Sequence, residues 1–377
     1  MAGIYIHIPF CKQACHYCDF HFSTSLKKKD EMILALAHEI ALRKNEAENE
    51  AIETIYFGGG TPSILSVKDI RFLIDAVYNN YAVIKTPEIT IEANPDDLSE
   101  ARIIELSSNL INRLSIGIQS FFEDDLKLMN RAHNATEALK CLEIATQYFK
   151  NISVDLIYGM PNMDTNKWLK NIEIALSFNI PHISSYALTV EPKTALEKFI
   201  QKGIIAQLDE QVAHEHFNIL VETLEQRGFI HYELSNFGKE GFFSKNNSSY
   251  WLQKKYIGIG PSAHSFNGVS RSWNVSNNSL YLKSINQNKL PLETETLSTN
   301  DRYNEYVMTG LRTIWGVSFK KIEQDFGASF LDYLIKSSKN YINNGLLELD
   351  NNILKTTKKG KFLCDGIASD LFLLNLE

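Results

Sequence analysis

Short runs of β-branched and aromatic residues alternate along the chain with longer stretches of helical spacing. The runs fall at Ile4 to Ile8, Thr54 to Phe57, Glu88 to Glu92, Leu114 to Gln119, Ser153 to Tyr158 and Ile183 to Leu188. Between and after them, Lys28 to Lys44, IRFLIDAVY, TEALKCLEIATQYF, TNKWLKNIEIALSF and DEQVAHEHFNILVETLEQRG repeat apolar residues every three or four positions, the spacing of one helix face. Ser66, with Asp69 three residues on, reads as a helix N-cap, and Gly228 as a helix stop. Strand-then-helix units in succession require parallel strands joined by right-handed crossovers. The pattern therefore predicts an α/β fold, an open partial (β/α)6 barrel over residues 1–228.

Beyond Gly228 the alternation stops. FIHYELSNFGKEG, SKNNSSYW and YIGIGPSAHSF predict a strand-containing extension beside the barrel, and SNNSLYLKSINQN a polar approach to a linker, together spanning 229–298. From 299 to 377, three helical segments precede LLELDNNILKTTKKGKFL, which reads as a hairpin, so a small winged-helix-like domain is expected.

Composition narrows the partners. A formal net charge of -7 leaves no general basic face for phosphates, so no nucleic acid partner is expected. No signal or transit pattern opens the chain, and no uncharged apolar run approaches the ~18 residues that span a bilayer. The expected compartment is the cytoplasm, with peripheral association at a membrane left open. There, clustered cysteines point to metal binding or catalysis before disulfides. Three of the 5 cysteines, Cys11, Cys15 and Cys18, fall in C-x3-C-x2-C directly after the first strand, whereas Cys141 and Cys364 sit alone in apolar helical patterns and read as buried small hydrophobes.

In α/β barrels chemistry collects where strands end. Here the strand ends carry the cysteine loop, then Gly58, Gly59, Gly60, Thr61 and Pro62, then Glu92, Ala93, Asn94 and Pro95, then Gln119 and Ser120, and Asp155 just before Tyr158. Consecutive glycines allow close backbone approach to a ligand. Glu92, Gln119 and Asp155 suit the amine and hydroxyl groups of a small polar ligand, and Arg131 a carboxylate. Three thiolates hold a metal or cluster but leave one ligand unaccounted for. A structural zinc site of Cys11, Cys15 and Cys18 with His16 or His21 satisfies the count, although it has no use for GGGTP or EANP.

The cysteine loop followed in order by GGGTP, EANP, SIGIQS and DLIYGMP resembles the radical S-adenosylmethionine superfamily. More narrowly, YIHIPFC, GGGTPS, GIGPSAHSF and the C-terminal segment resemble the oxygen-independent coproporphyrinogen III oxidase-like group, over nearly the whole chain. The resemblance implies that Cys11, Cys15 and Cys18 ligate three irons of a [4Fe-4S] cluster, the fourth iron being left for the amino and carboxylate groups of S-adenosylmethionine. It implies cofactor contacts at Tyr5, Gly59, Gly60, Thr61, Glu92, Gln119, Arg131 and Asp155. Of these, Arg131 is expected at the methionyl carboxylate, Gln119 and Asp155 at ribose hydroxyls, and Gly59 with Glu92 at the methionyl end.

Within this group the oxidases resemble C-x3-C-x2-C-x-C and carry a segment ahead of YIHIPFC, whereas this chain has Phe20 at the last position and its strand opens at Ile4. The CDF form resembles the haem chaperone subgroup. That resemblance implies haem as cargo, haem-acceptor proteins with membrane-bound respiratory enzymes among the candidates, an electron donor, and no coproporphyrinogen oxidase activity. The alternative is a radical enzyme that decarboxylates a tetrapyrrole. Chaperone-like members resemble His-Asn-x-x-Tyr-Trp ahead of GIGPSAHS, but here the first residue is Asn246, a poor axial ligand. His264 is then the first candidate for the haem iron, ahead of His231 and Tyr250, and Asn246→His is expected to tighten binding.

Overall fold

A computed structural model describes residues 1–48 and 50–374; Asn49 and the last three residues of the expected third domain lie outside the described residues. The predicted strands are present as β1 (Ala2–Ile8), β2 (Ile52–Gly59), β3 (Val83–Ala93), β4 (Arg113–Gln119), β5 (Ile152–Tyr158) and β6 (His182–Ala187). They pair in sequence order and in parallel. The crossovers are α1 (Lys29–Leu42), α2 (Val67–Asn80), α3 (Glu100–Ser107), α4 (Glu123–Leu128), α5 (Ala135–Tyr148) and α6 (Thr165–Ser177), with α7 (Ala195–Gln201) and α8 (Glu210–Gln226) after β6. Ser66 caps α2 in a reciprocal capping box with Asp69. Gly228, two residues past α8, takes φ 77°, a left-handed conformation that favours glycine. The partial α/β barrel stands as the sequence pattern predicts.

The extension adds strands to both edges of this sheet and does not lie beside it. β7 (Ile230–Glu233) and β8 (Asn236–Gly238) form a hairpin whose β8 pairs with β6. After α9 (Lys245–Trp251), β9 (Tyr256–Ile259) runs parallel to β1 on the opposite edge. β10 (His264–Phe266), β11 (Ser270–Asn274) and β12 (Leu292–Thr296) continue outward to complete a 12-stranded sheet. Parallel pairing at β9 explains the apolar run YIGI, because a strand covered on both faces has no polar side.

The polar segment expected to approach a linker contains α10 (Asn278–Ile285), which buries Tyr281, Leu282 and Ile285. Its packing against α1 is anchored by Tyr281 Oη, which donates to Glu39 Oε2 at 2.6 Å. A three-residue apolar stripe on so polar a helix is a weak periodic signal. The last part of the chain forms its own core around Tyr303, Val307, Leu334 and Leu354. There α11 (Thr299–Leu311) leads to the short β13 (Val317–Ser318), and α12 (Phe319–Phe326) and α13 (Ala328–Asn343) to the hairpin of β14 (Leu347–Asp350) and β15 (Ile353–Thr356), with β13 and β15 paired in a three-stranded sheet, the arrangement of a winged helix. Cys141 and Cys364 are both buried. Among the described residues no helix is long and apolar enough to cross a membrane.

Candidate functional site

The strand ends surround a cavity of about 630 Å3. Every predicted site residue except Tyr5 lines it: Cys11, Cys15, Cys18, Gly59, Gly60, Thr61, Glu92, Gln119, Arg131 and Asp155. The loop after β1 carries the cysteines and is pinned at several points. Cys11 N donates to Ser23 O at 3.1 Å, and His16 N donates to Met129 O at 3.0 Å. His16 Nδ1 lies 2.8 Å from Leu128 O, and His21 Nε2 lies 2.8 Å from Asn278 Oδ1. Both histidines weighed as a fourth zinc ligand are therefore held by neighbours. Among the described residues no three His, Cys, Asp or Glu side chains form a site for a single ion. Burial raises the Cys11 thiol, although Thr61 opposes it, and pushes Cys18 up to about 11. Such thiols stay protonated until a metal displaces the proton.

The glycines serve packing between strands. A Cβ on Gly59 would come 2.5 Å from the His7 ring, and one on Gly60 2.5 Å from Phe10 O. The lack of side chains thus lets β2 close onto the start of the cysteine loop, while Gly59 N is taken by Glu92 Oε2 at 3.2 Å. Gln119 holds φ 66° at the end of β4, an unfavourable left-handed backbone for a residue with a Cβ, and this aims it into the mouth at a bulge in the ladder.

Two half-buried carboxylates face the cavity. Glu92 accepts from Tyr56 Oη at 2.8 Å, and burial, with Asp155 adding to it, raises it to about 7. Asp155 accepts from Ser115 Oγ at 3.4 Å and is raised to about 6, again mainly by burial. Arg131 lies among acceptors: Nη2 donates to Asn94 Oδ1 at 2.7 Å and to Gly117 O at 2.8 Å, and Nη1 lies 3.3 Å from Cys15 Sγ. Its buried Nε has no partner, a donor left over for a ligand. Protein acceptors therefore already engage part of the guanidinium expected to serve a carboxylate.

Tyr5 departs from expectation. It sits three positions before the end of β1, its ring stacked on Tyr56 at 6.0 Å and its hydroxyl 3.4 Å from His7 Nδ1. Tyr56 and Asn94 are the residues that sequence reasoning missed as partners of Glu92 and Arg131. Strand alternation places Tyr56 on one face of β2, but only the parallel register brings it beside Glu92 on β3. The residues suggested for haem also separate. Asn246 is buried at 2 % exposure, with Oδ1 accepting from Thr54 Oγ1 at 3.1 Å. His231 is buried between Leu234 O and Lys361 Nζ. Tyr250 packs edge-on against Tyr256, and His264 is exposed.

An α/β mouth that carries three cysteines on the first loop and acidic groups on the later strand ends fits one class of protein. Residues 5–175 match the Radical SAM superfamily, and residues 297–363 the HemN C-terminal domain. The heme chaperone HemW of Bacillus subtilis is 35% identical over 371 residues, covering 96% of this chain and 97% of that protein. Its counterpart in Lactococcus lactis is 33% identical, covering 96% and 97%. The chain belongs to this heme chaperone family of the radical SAM superfamily. The solved structure of coproporphyrinogen III oxidase (HemN) from Escherichia coli superposes with a TM-score of 0.86, covering 98% of this chain and 90% of that one, and at 22% identity it speaks for the fold alone.

Proposed function

We propose that the protein is a haem chaperone that carries a [4Fe-4S] cluster on Cys11, Cys15 and Cys18 and binds S-adenosylmethionine beside it. The observation that carries the cofactor reading is the single cavity shared by the three thiols, Arg131 and the two raised carboxylates. A buried donor without a partner at Arg131 Nε and partly engaged carboxylates fit a zwitterionic ligand with a ribose better than an empty hollow. When bound, the cluster supplies one-electron chemistry and an iron open to the cofactor.

The chain's own residues would orient that cofactor. Glu92, itself held by Tyr56 and Gly59, suits an ammonium group, and Gln119 with Asp155 suits hydroxyls. Arg131 adds positive charge beside Cys15 and the carboxylate end. Tyr5 would act at one remove, by supporting Tyr56. The haem cargo, and its transfer to acceptor proteins, are inferred from the chaperone relatives; an electron donor and membrane-bound respiratory acceptors belong to the same reading.

Phe20, where the oxidases carry a further cysteine, stands 68 % exposed and lines the cavity, so no fourth thiol is offered at that position. Anaerobic reconstitution followed by iron, sulfide and haem analysis tests the proposal. The expected result is an iron-sulfur protein that binds haem and leaves coproporphyrinogen unconverted in the presence of cofactor and reductant. Measured conversion to protoporphyrinogen would move it to the oxidases.

A further inference from the structure

Each of the three thiols in the mouth faces a hydrogen-bond donor, and only one of those donors is charged. The Thr61 hydroxyl serves Cys11, and the Phe20 amide serves Cys18. At Cys15 the donor is a guanidinium, with Arg131 Nη1 3.3 Å from the sulfur. The acceptors that hold the other end of Arg131 are neutral, Asn94 Oδ1 at 2.7 Å and Gly117 O at 2.8 Å, both taking Nη2. Two carboxylates act on it from a distance: Asp96, itself paired with Lys12 at 2.9 Å, and Asp155 across the mouth, raised to about 6 by burial. Among the described residues no ion pair cancels the charge beside Cys15.

The contact is built into the backbone and does not rest on one rotamer. Arg131 follows Asn130, which takes φ 56°, in the left-handed region that asparagine tolerates better than most residues with a Cβ. The Asn130 side chain then engages the cysteine loop in both directions: Oδ1 accepts from Gln13 Nε2 at 2.8 Å, and Nδ2 donates to Ala14 O at 2.7 Å. On the far side of Cys15, His16 N donates to Met129 O at 3.0 Å. Residues 129–131 thus grip the loop on both sides of Cys15, and this fixes the sulfur against the guanidinium.

Resting on the cluster reading above, we propose that Arg131 has a second role besides meeting a carboxylate: through its charged N–H···S contact with Cys15 it raises the reduction potential of the iron-sulfur cluster, independently of the cofactor. Reduction adds one electron to the cluster and breaks no bond in the protein, and the electron comes from an external low-potential donor. A cation beside a ligand sulfur stabilises the more negative, reduced form. At 3.3 Å from a half-buried sulfur that cation is weakly screened. A guanidinium also keeps its charge, so the effect persists at every pH at which the protein stays folded.

The test is a redox titration of the anaerobically reconstituted full-length protein without S-adenosylmethionine, with dithionite as reductant and electron paramagnetic resonance of the reduced cluster as the readout. Arg131→Gln is expected to shift the reduction equilibrium about tenfold or more towards the oxidised cluster, which for a one-electron couple lowers the potential by about 59 mV per tenfold. Arg131→Lys should recover part of that shift, because it keeps the charge and loses the planar fork. Asn94→Ala, which frees one anchor of the guanidinium and leaves the charge in place, should shift the potential in the same direction by less. Iron and sulfide contents equal to the parent's show that a variant carries the same cluster; should Arg131→Gln load none, Asn94→Ala decides in its place. A role confined to the cofactor's carboxylate moves none of these potentials, so variants at the parent's value would overturn the tuning role and leave the cluster reading intact. If the parent itself takes up no iron-sulfur cluster, the cluster reading falls and the tuning role with it.

Discussion

Glu39 and Arg43 lie one turn apart on α1, and their side chains, 3.0 Å from each other, are both closed to water. The pair reaches well beyond its helix. Glu39 also accepts from Gly260 N, Asn274 Nδ2 and Tyr281 Oη, while Arg43 donates to Gly258 O and Ser265 Oγ. It thus ties α1 to β9, β10, β11 and α10, and holds the GIGPSAH segment against the barrel edge.

Removing one member strands the other charge in the interior. Arg43→Met is expected to cost about 3–5 kcal/mol in urea unfolding, because breaking a buried pair is worse than lacking one. Replacing both, as Glu39→Gln with Arg43→Met, should recover part of the loss. A single variant as stable as the parent would mean that water enters this network.

Three thiols line the mouth, whereas Cys141 is buried in α5. Cys11→Ser, Cys15→Ser and Cys18→Ser are each expected to abolish the iron-sulfur absorbance after reconstitution, with Cys141→Ser retaining it. Loss of the chromophore in Cys141→Ser would contradict the assignment of the ligands.

Glu92 makes stability depend on pH with a sign opposite to that of an ordinary surface carboxylate. Its folded value, about 7, lies above the reference 4.5, so the folded state holds a proton that the unfolded chain releases. Its contribution is therefore most favourable below about 4.5, declines as pH rises to about 7, and levels off above that. Measured as parent minus Glu92→Gln without cofactor, the stability difference should fall by roughly 2–4 kcal/mol across that window. A flat difference would place Glu92 in contact with solvent.

Asn246 occupies a closed position beside Thr54, and its amide nitrogen has no partner. The sequence expectation that Asn246→His tightens haem binding changes with this geometry. An imidazole there meets packed strand and not solvent, so the variant is expected to lose about 1–3 kcal/mol to overpacking and to gain no haem affinity. Thermal unfolding and a haem titration of this variant read the two effects separately. Tighter binding with unchanged stability would show that α9 opens.

The features legible in the order of residues are local or repeat along the chain. The alternation of strand and helix, the Ser66 to Asp69 cap, the stop at Gly228 and the cysteine loop after β1 all follow from side-chain spacing and backbone preference, which act between near neighbours. Because parallel strands align their ends, the same pattern also indicated that the cysteines, glycines, Glu92, Gln119 and Asp155 would share one mouth, whereas Arg131, beyond a short helix, was assigned to it by family resemblance. Tertiary structure alone decided what each of them touches. Strand register sets Tyr56 against Glu92 and leaves Tyr5 behind it, and the closeness of β2 to the cysteine loop explains the glycines. The helix in the apparent linker, the strands added at both sheet edges and the aromatic cleft between the extension and the C-terminal helices depend on contacts between segments far apart in the chain. Such contacts form by packing and desolvation in three dimensions, and they leave little periodic trace in either partner.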